Sequence, residues 1–243
     1  QNFAKAFGIT FLSQQNTQEY AWQTSWGLST RMVGGIIMTH GDDNGLVLPP
    51  RLAPVQVVIV PIYKNDAEEA AVMTLLPQVE AALKTAGIRV KSDLSNEKTP
   101  GWKFNEYELK GVPVRIEIGP KDVAKNAVVV ARRDKPGKEG KQFGVPVTEV
   151  AEVVKGLLDD IQAALLAKAT AFRDSNIIDV SDMEQFREVV GKNQWARVWW
   201  AGSDAQEKAI KDDTGATVRC LPLEQREGTG TCFLTGKEAT DTA

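Results

Sequence analysis

The strongest constraint on the fold of this chain is VQVVIVPI, a continuous apolar run at residues 55–62. A short apolar run without polar alternation is typical of a strand that is buried on both faces of a parallel sheet. The segment 66–87 follows with helical spacing and ends on Gly87, and its internal Pro77 predicts a kink or a break. A buried strand followed by a helix indicates an α/β domain in which helices cover the sheet.

The alternation of strands and helices continues through residue 172. The sequence predicts strands at IRVKSD (88–93), VPVRIEIG (112–119) and NAVVVARRD (126–134), helices at 100–111 and 145–172, and a polar loop at 134–144. The order β-α-β-α-β-β-α predicts a mixed sheet in an α/β domain of about 100 residues.

The flanking regions have different patterns. Residues 1–52 are predicted to form strands and turns, with MVGGIIMTH as an apolar strand, GDDNG as a turn and prolines at the end. After residue 173 the sequence predicts helices at 181–190 and 203–215, strands at 195–202 and 216–223, and a hairpin at 227–243. Ser181 or Asp182 is the predicted N-cap of the first of these helices.

Composition restricts the class of protein. The net charge is −3, but residues 98–141 carry eleven Lys and Arg against six Asp and Glu, while residues 151–243 carry eleven against sixteen. The basic middle is either a nucleic-acid face in a neutral protein or an unevenly charged solvated surface. No apolar run reaches about 18 residues and no signal peptide is recognisable, which predicts a cytoplasmic protein without a membrane partner.

Three small groups of residues are candidate sites. Arg31, placed on the predicted apolar strand beside glycines, needs an anionic partner, either a phosphate or carboxylate ligand or a buried ion pair. His40 with the two aspartates of GDDNG has no recognised metal spacing, so the aspartates are predicted to bond backbone amides in a turn. Cys220 and Cys232 are too few for a structural zinc site and are predicted to be reduced thiols.

The segment with the most candidate functional residues is 100–122, where aromatic side chains alternate with basic ones. Aromatic rings stack on unpaired bases, basic groups hold phosphates or base edges, and carboxylates such as Glu108 and Asp122 accept from base amino or imino groups. The same pattern also fits an amphipathic helix whose aromatic residues belong to the core. The sequence pattern leaves both interpretations open.

Long segments of the chain carry a resemblance to a known family. SWGLSTRMVGGIIMTHGDDNGLVLPPRLAPVQVVIVPI (25–62) resembles motif 3 of class II aminoacyl-tRNA synthetases running into the anticodon-binding domain, in the form found in the archaeal/eukaryote-like prolyl-tRNA synthetase family. TPGWKFNEYELKGVPVRIEIGPKD (99–122) is similar to the anticodon-reading segment of that family, and VRCLPLEQ (218–225) to its C-terminal domain.

The resemblance implies α/β and α+β folds in three parts. Residues 1–52 would be the C-terminal edge of an antiparallel-sheet catalytic domain. Residues 53–157 would be an α/β anticodon-binding domain with a mixed five-stranded sheet, and residues 158–243 a linker helix and a small α+β domain. The chain would be the C-terminal half of a proline–tRNA ligase, truncated slightly at its end.

The resemblance also assigns roles to residues. Arg31 would be catalytic, contacting the terminal phosphates of ATP, which binds with Mg²⁺, and Ser29 would lie near the nucleotide. Ser25, Trp26 and Gly27 would form the floor of the proline and adenylate pocket. The two guanines shared by proline anticodons in tRNA-Pro would be read by five residues: Phe104, Glu108, Arg115, Lys121 and Asp122. No structural zinc is expected, and the complete enzyme is expected to be a homodimer.

Motifs 1 and 2 of the class do not occur in this sequence, which predicts that the chain alone does not make prolyl-adenylate. A second hypothesis is a non-catalytic, synthetase-derived protein that binds tRNA or another RNA. A third is an α/β interaction domain with no role in RNA binding.

Overall fold

The computed structural model describes residues 2–135 and 137–243. Its first part contains α1 (Asn2–Phe7), the antiparallel strands β1 (Thr10–Leu12) and β2 (Gln18–Tyr20), and α2 (Arg31–His40). The prediction of a strand at MVGGIIMTH is therefore wrong, because these residues form most of α2. Val33, Ile37 and His40 recur at intervals of three and four, which is helical spacing.

The middle of the chain folds into the predicted α/β unit. Its elements are β3 (Val57–Pro61), α3 (Asp66–Thr85), β4 (Val90–Ser92), α4 (Pro100–Leu109), β5 (Val114–Ile118), α5 (Pro120–Val123), β6 (Ala127–Arg132), β7 (Lys141–Pro146) and α6 (Val150–Ser175). The strand order is β4-β3-β5-β6-β7. The first three strands are parallel and the last two pairings are antiparallel, so the mixed five-stranded sheet implied by the resemblance is confirmed.

The strand β7 is where the pattern-based prediction fails. Its residues were predicted as the end of a loop and the start of a helix, but they pair with β6 along the edge of the sheet. The pairing register shifts between Val128 and Val130, and Gly144 on β7 has φ +69°. Because Val145 is the one buried side chain of β7, the strand lacks the apolar alternation that would identify it.

The helix α3 runs without interruption through Pro77, so the predicted break is absent. Proline removes one backbone hydrogen bond from a helix. Leu75, Leu76, Val79 and Leu83 surround Pro77 in sequence and are buried in the main core, and we infer that this packing offsets the lost bond.

The two faces of the sheet pack against different helices. One face presents Val57, Ile59 and Ile116 to α3 and α6, and this side forms the main hydrophobic core. The opposite face presents Val58 and Val60 to α4. Because side chains alternate along a strand, residues of β5 such as Arg115 and Glu117 lie on the α4 side.

The last part of the chain is a small α+β unit. Its elements are β8 (Ile177–Asp179), α7 (Met183–Gly191), β9 (Trp195–Arg197), β10 (Trp199–Trp200), α8 (Asp204–Thr214), β11 (Gly230–Thr231), β12 (Glu238–Ala239) and β13 (Asp241–Thr242). Of the two predicted N-caps, Asp182 caps α7 by accepting from the backbone N–H of Gln185 at 2.9 Å. The hairpin prediction is confirmed for β11 and β12.

One sequence expectation for this region is wrong, and another is not tested. The segment 216–223, predicted as a strand, lies outside any strand or helix, with Leu223 fully exposed. An apolar segment becomes a strand only where a partner edge is available for its backbone. The expected boundary between residues 157 and 158 falls inside α6, and the domain limits stay a prediction.

Candidate functional site

The helix α4 and the strand β5 together build the centre of the candidate site. Thr99 accepts from the backbone N–H of Trp102 at 3.4 Å and Pro100 occupies the first turn, which starts the helix at this point. Phe104 and Glu108 lie four residues apart on α4 and therefore share one face. The Arg115 guanidinium carbon lies 4.1 Å from the centre of the Phe104 ring.

A buried carboxylate holds two cations next to this ring. Glu117 is 7% exposed and accepts from Arg115 Nε at 3.1 Å, from Arg115 Nη2 at 3.0 Å and from Lys141 Nζ at 2.8 Å. The Lys141 ammonium also lies 5.8 Å from the centre of the Phe104 ring. One carboxylate thus fixes the direction of two positive side chains and leaves the cluster with a net positive charge.

Glu117 and Lys141 were not among the residues predicted from the sequence. Glu117 was recognisable, because it follows Arg115 by two residues on a predicted strand and must share its face. Lys141 was hidden because β7 was predicted as a loop. Phe143, two residues further along β7, is 70% exposed and adds a second accessible aromatic ring to this edge of the sheet.

Glu108 lines the same open cleft as Arg115 and Lys141. Within the part of the chain that the structure describes, its carboxylate makes no hydrogen bond or ion pair, whereas its backbone carbonyl accepts from Arg133 Nε at 2.9 Å. A free carboxylate beside two cations and an aromatic ring can accept hydrogen bonds from a planar, donor-bearing group such as a base.

Lys121 and Asp122 do not join this cluster. They lie on α5, beyond the carboxyl end of β5, and α5 packs against α3 and β6. Asp122 Oδ2 accepts from the backbone N–H of Gly119 at 2.9 Å and so caps the short helix. Lys121 is exposed. The structure therefore brings together three of the five predicted anticodon residues, namely Phe104, Glu108 and Arg115.

The other aromatic residues of 100–122 include one in the core and one that is accessible, so each of the two interpretations left open by the sequence applies to one of them. Tyr107 is buried, and its hydroxyl donates to Asp93 Oδ2 at 3.0 Å, while Lys103 Nζ donates to the Asp93 carbonyl at 2.9 Å. Burial and the bond to Asp93 raise the pKa of Tyr107. Trp102 is 43% exposed and lies under the Lys98 ammonium. Tyr107 thus belongs to the core, whereas Trp102 stays accessible.

The predicted nucleotide residues lie at and before the start of α2. Ser25, Trp26 and Gly27 precede the helix without regular structure, and Trp26 is 93% exposed. Ser29 Oγ accepts from the backbone N–H of Arg31 at 3.4 Å. Arg31 is the first residue of α2 and is exposed, and none of the described carboxylates pairs with it. Among the described residues, Arg31 therefore does not form the buried ion pair that was one of the two alternatives for it.

The GDDNG segment forms the predicted turn. Asp42 Oδ1 accepts from the backbone N–H of Asn44 at 2.9 Å, and Asp42 forms a backbone bridge with Gly45. The Arg133 guanidinium beside Asp42 holds the pKa of that carboxyl below its usual value. Burial, and to a smaller extent Lys168, lowers the pKa of the neighbouring His40.

Within residues 2–135 and 137–243, no group of three or more His, Cys, Asp or Glu side chains could hold a metal ion. Cys220 is exposed and Cys232 is buried. None of the described helices is long and apolar enough to cross a membrane.

Comparison with known proteins extends this description to the whole chain. The family "Anticodon binding domain" matches residues 56–157, and the family "Prolyl-tRNA synthetase, C-terminal" matches residues 183–243. The chain is 55% identical to the chloroplastic/mitochondrial proline–tRNA ligase of Arabidopsis thaliana, with 100% of this chain and 45% of that protein covered. It is also 55% identical to the proline–tRNA ligase of Chloroflexus aurantiacus, covering 98% of this chain and 49% of that protein.

A solved structure gives the same result in three dimensions. The prolyl-tRNA synthetase of Cryptosporidium parvum, complexed with L-proline and AMP, superposes with a TM-score of 0.87 at 39% identity. The match covers 100% of this chain and 51% of that structure, so the chain spans about half the length of the relatives it matches. The chain therefore belongs to the prolyl-tRNA synthetase family, and the part of its relatives that it matches fits their C-terminal half.

Proposed function

We propose that the complete protein is a proline–tRNA ligase, which activates proline with ATP and transfers it to tRNA-Pro. This chain would supply motif 3, the anticodon-reading domain and the C-terminal domain. The observation that carries the proposal is the 55% identity along 100% of the chain to a protein named proline–tRNA ligase. A non-catalytic accessory protein is not favoured, because the match includes the motif 3 segment as well as the RNA-binding domain.

The α4 face of the sheet has the chemistry needed to read a guanine. Guanine offers O6 and N7 as acceptors, which suit arginine or lysine, and N1–H and N2–H as donors, which suit a carboxylate. Arg115 uses Nε and Nη2 to hold Glu117, which leaves other N–H donors for a base. Glu108 would accept from the donor edge, and Phe104 would stack on a base.

Lys121 and Asp122 are proposed to complete the anticodon site from the other end of β5. The exposed Lys121 ammonium would contact a phosphate or a neighbouring nucleotide. The Asp122 carboxylate already bonds Gly119 N–H through Oδ2 at 2.9 Å, so its Oδ1 would be the atom available to the anticodon.

The start of α2 is suited to the phosphates of ATP. In the reaction, a carboxylate oxygen of proline attacks the α-phosphorus and pyrophosphate leaves, so negative charge develops on the phosphates. Arg31 would offset that charge and orient the triphosphate from its exposed, unpaired position at the helix N-terminus. Ser29 would lie beside the nucleotide, and Ser25, Trp26 and Gly27 would line the proline pocket.

Further features of the complete enzyme belong to the proposal. Mg²⁺ would enter with the phosphates of ATP, as is usual for this cation. The homodimer follows from the resemblance to class II synthetases. The cytoplasm is the proposed compartment, and the relatives include bacterial proteins as well as the organellar one from Arabidopsis.

The first test is binding of the complete protein to a tRNA-Pro transcript and to the same transcript with both anticodon guanines changed, at one fixed salt concentration. We expect each changed base to cost about 1–3 kcal/mol of binding free energy. Glu108→Gln should reduce this preference. Glu106→Gln is the matched control, since Glu106 pairs with Lys110 on the same helix. Equal binding of the two transcripts by the wild-type protein would overturn the anticodon assignment.

The second test concerns ATP. Arg31→Ala should lower proline-dependent ATP–pyrophosphate exchange by about 100-fold or more, as expected for loss of a charge-stabilising group. Arg51→Ala, another exposed arginine of the same segment, should keep exchange within about twofold. Near-normal exchange by Arg31→Ala would remove Arg31 from the catalytic machinery.

A further inference from the structure

Arg133 is a buried arginine that joins two separate parts of the molecule. It follows β6, and its side chain is 2% exposed. Nη1 donates to Asp42 Oδ2 at 2.8 Å and Nη2 donates to Asp42 Oδ1 at 2.6 Å. Nε donates to the backbone carbonyl of Glu108 at 2.9 Å. Every nitrogen of the guanidinium is thus used, and the planar fork fixes both direction and distance.

The two partners of Arg133 belong to the two proposed sites. Asp42 lies two residues after the end of α2, the helix that begins with Arg31. Glu108 lies on α4, among the residues proposed to read the anticodon. Arg133 therefore contacts both α4, the helix that would hold a base, and the turn after α2, the helix that would hold the phosphates.

The two backbone segments beside this ion pair are packed too closely to slide past each other. Leu46 N–H donates to the carbonyl of Leu109 at 3.0 Å, and Leu48 N–H donates to that of Gly111 at 3.3 Å. A Cβ atom added to Gly45 would lie 2.7 Å from the Leu109 backbone, and one added to Gly111 would lie 2.6 Å from Leu46. Residues 42–48 and the C-terminal end of α4 thus form one seam, with backbone against backbone.

The helix α2 is joined directly to this seam. Its C-terminal end at His40 continues into the turn whose Asp42 is held by Arg133. A displacement of α4 would therefore be carried through Arg133 and Asp42 to α2, and displacements of about 1 Å at a reacting group can change a rate by about 100-fold.

We propose that Arg133 is a positioning residue that links occupancy of the anticodon site to the placement of Arg31. Cognate anticodon guanines fix α4, the Arg133–Asp42 pair carries that position to α2, and Arg31 is held where the ATP phosphates need it. This inference rests on the proposed function. Lysine at position 133 would not reproduce it, because a single ammonium cannot serve both Asp42 oxygens and the Glu108 carbonyl in the same geometry.

The test measures kcat for aminoacylation by the complete protein at saturating tRNA, with the unaltered transcript and with the transcript whose anticodon guanines are changed. For the wild-type protein we expect kcat to be higher with the unaltered transcript by on the order of tenfold. In Arg133→Lys the kcat ratio should fall to within about twofold of one, while the Kd ratio of the two transcripts stays as in the wild type. A residue with a merely structural role would not separate these two ratios.

The matched control is Arg132→Lys, because Arg132 makes the same bidentate pair with Asp134, a partner on its own hairpin. It should leave both ratios unchanged. If Arg133→Lys does not fold, Asp42→Asn replaces it, since asparagine keeps an acceptor for Asn44 but removes the charge that Arg133 grips. We expect a smaller loss of the kcat ratio in that variant.

Two kinds of contrary result are distinguishable. If the wild-type protein shows no proline-dependent exchange or no preference for the anticodon guanines in Kd, the proposed function fails, and the coupling with it. If both are present but Arg133→Lys retains the wild-type kcat ratio, or loses rate equally with both transcripts and in exchange without tRNA, the coupling alone is overturned.

Discussion

The α/β unit of residues 56–157 and the segment of residues 2–40 differ in how far their apolar side chains are buried. In the α/β unit, Ile59 and Ile116 are completely buried between the sheet and its helices. In α2, Ile37 is 47% exposed and Met38 is 87% exposed. An apolar residue stabilises a fold where a second layer covers it, and the described residues supply that layer to the α/β unit but not to α2.

Residues 42–48, which follow the N-terminal segment, meet the α/β unit at the seam. The contacts there are the Asp42–Arg133 ion pair and the close packing of Gly45 and Gly111. Three substitutions test this comparison, one inside the core, one at the seam backbone and one at the seam charges.

The largest effect is expected in the core of the α/β unit. Ile116→Ala removes a fully buried side chain and should lower the free energy of unfolding by about 2–5 kcal/mol, because it leaves a cavity among tightly packed neighbours. Ile37→Ala in α2 should change it by less than about 0.5 kcal/mol. Urea unfolding followed by far-UV circular dichroism measures both. Similar losses for the two variants would mean that the regions do not differ in packing as described.

An intermediate effect is expected at the seam backbone. Gly111→Ala should cost about 2–4 kcal/mol, because φ is +71° and the new Cβ would meet Leu46 at 2.6 Å. Gly87→Ala is the matched control, since Gly87 has φ +76° but no atom within 4 Å of the new Cβ. It should cost only the left-handed conformation, about 1–2 kcal/mol. Equal losses in thermal unfolding would show that residues 46 and 111 have room to separate.

The smallest effect is expected from the seam charges, and it depends on pH. Arg133 holds the folded-state pKa of Asp42 below its usual 3.8, so the stabilisation is present above about pH 4 and is lost as the pH falls through the folded-state pKa. At pH 7 the wild-type protein should exceed Asp42→Asn by about 1 kcal/mol, since Asp42 is partly exposed and its charge is screened.

This difference should shrink as the pH is lowered from 5 to 3 in a series of urea unfolding curves. Asp43→Asn, at the next position of the turn and outside the ion pair with Arg133, is the control variant. A constant difference between wild type and Asp42→Asn across this range would contradict the ion pair as the source of stability.

Much of the α/β unit was predictable because its elements carry their own signals. The buried strand β3 and the capped helix α4 each follow from a few neighbouring residues, as does the N-cap of α7 outside this unit, which was predicted at Ser181 or Asp182. The prediction failed where the signal was missing or misleading. An apolar run such as MVGGIIMTH fits a helix as well as a strand, and β7 has only one buried side chain and a bulge. The local pattern therefore does not determine the structure of either segment.

The candidate site divides in the same way. Phe104, Glu108 and Arg115 were identified by residue type and by resemblance, and the helical and strand periodicities then bring them to one face of the sheet. Lys121 and Asp122 were grouped with them by resemblance, and both lie on α5, beyond the carboxyl end of β5, so their part in the same site stays a prediction. A stretch of sequence does not give the distance between two residues once a strand separates them.

Local patterns and the family resemblance were enough to predict the family, the order of elements from β3 to β6 and the residue types at both proposed sites. The partners of those residues followed from the tertiary structure. Glu117 holds Arg115 and Lys141, residues from two strands, and Arg133 reaches Asp42 across ninety-one positions of the chain. Pairs of this kind depend on how strands and helices pack around the sheet, because packing sets the distances between side chains that are remote in sequence.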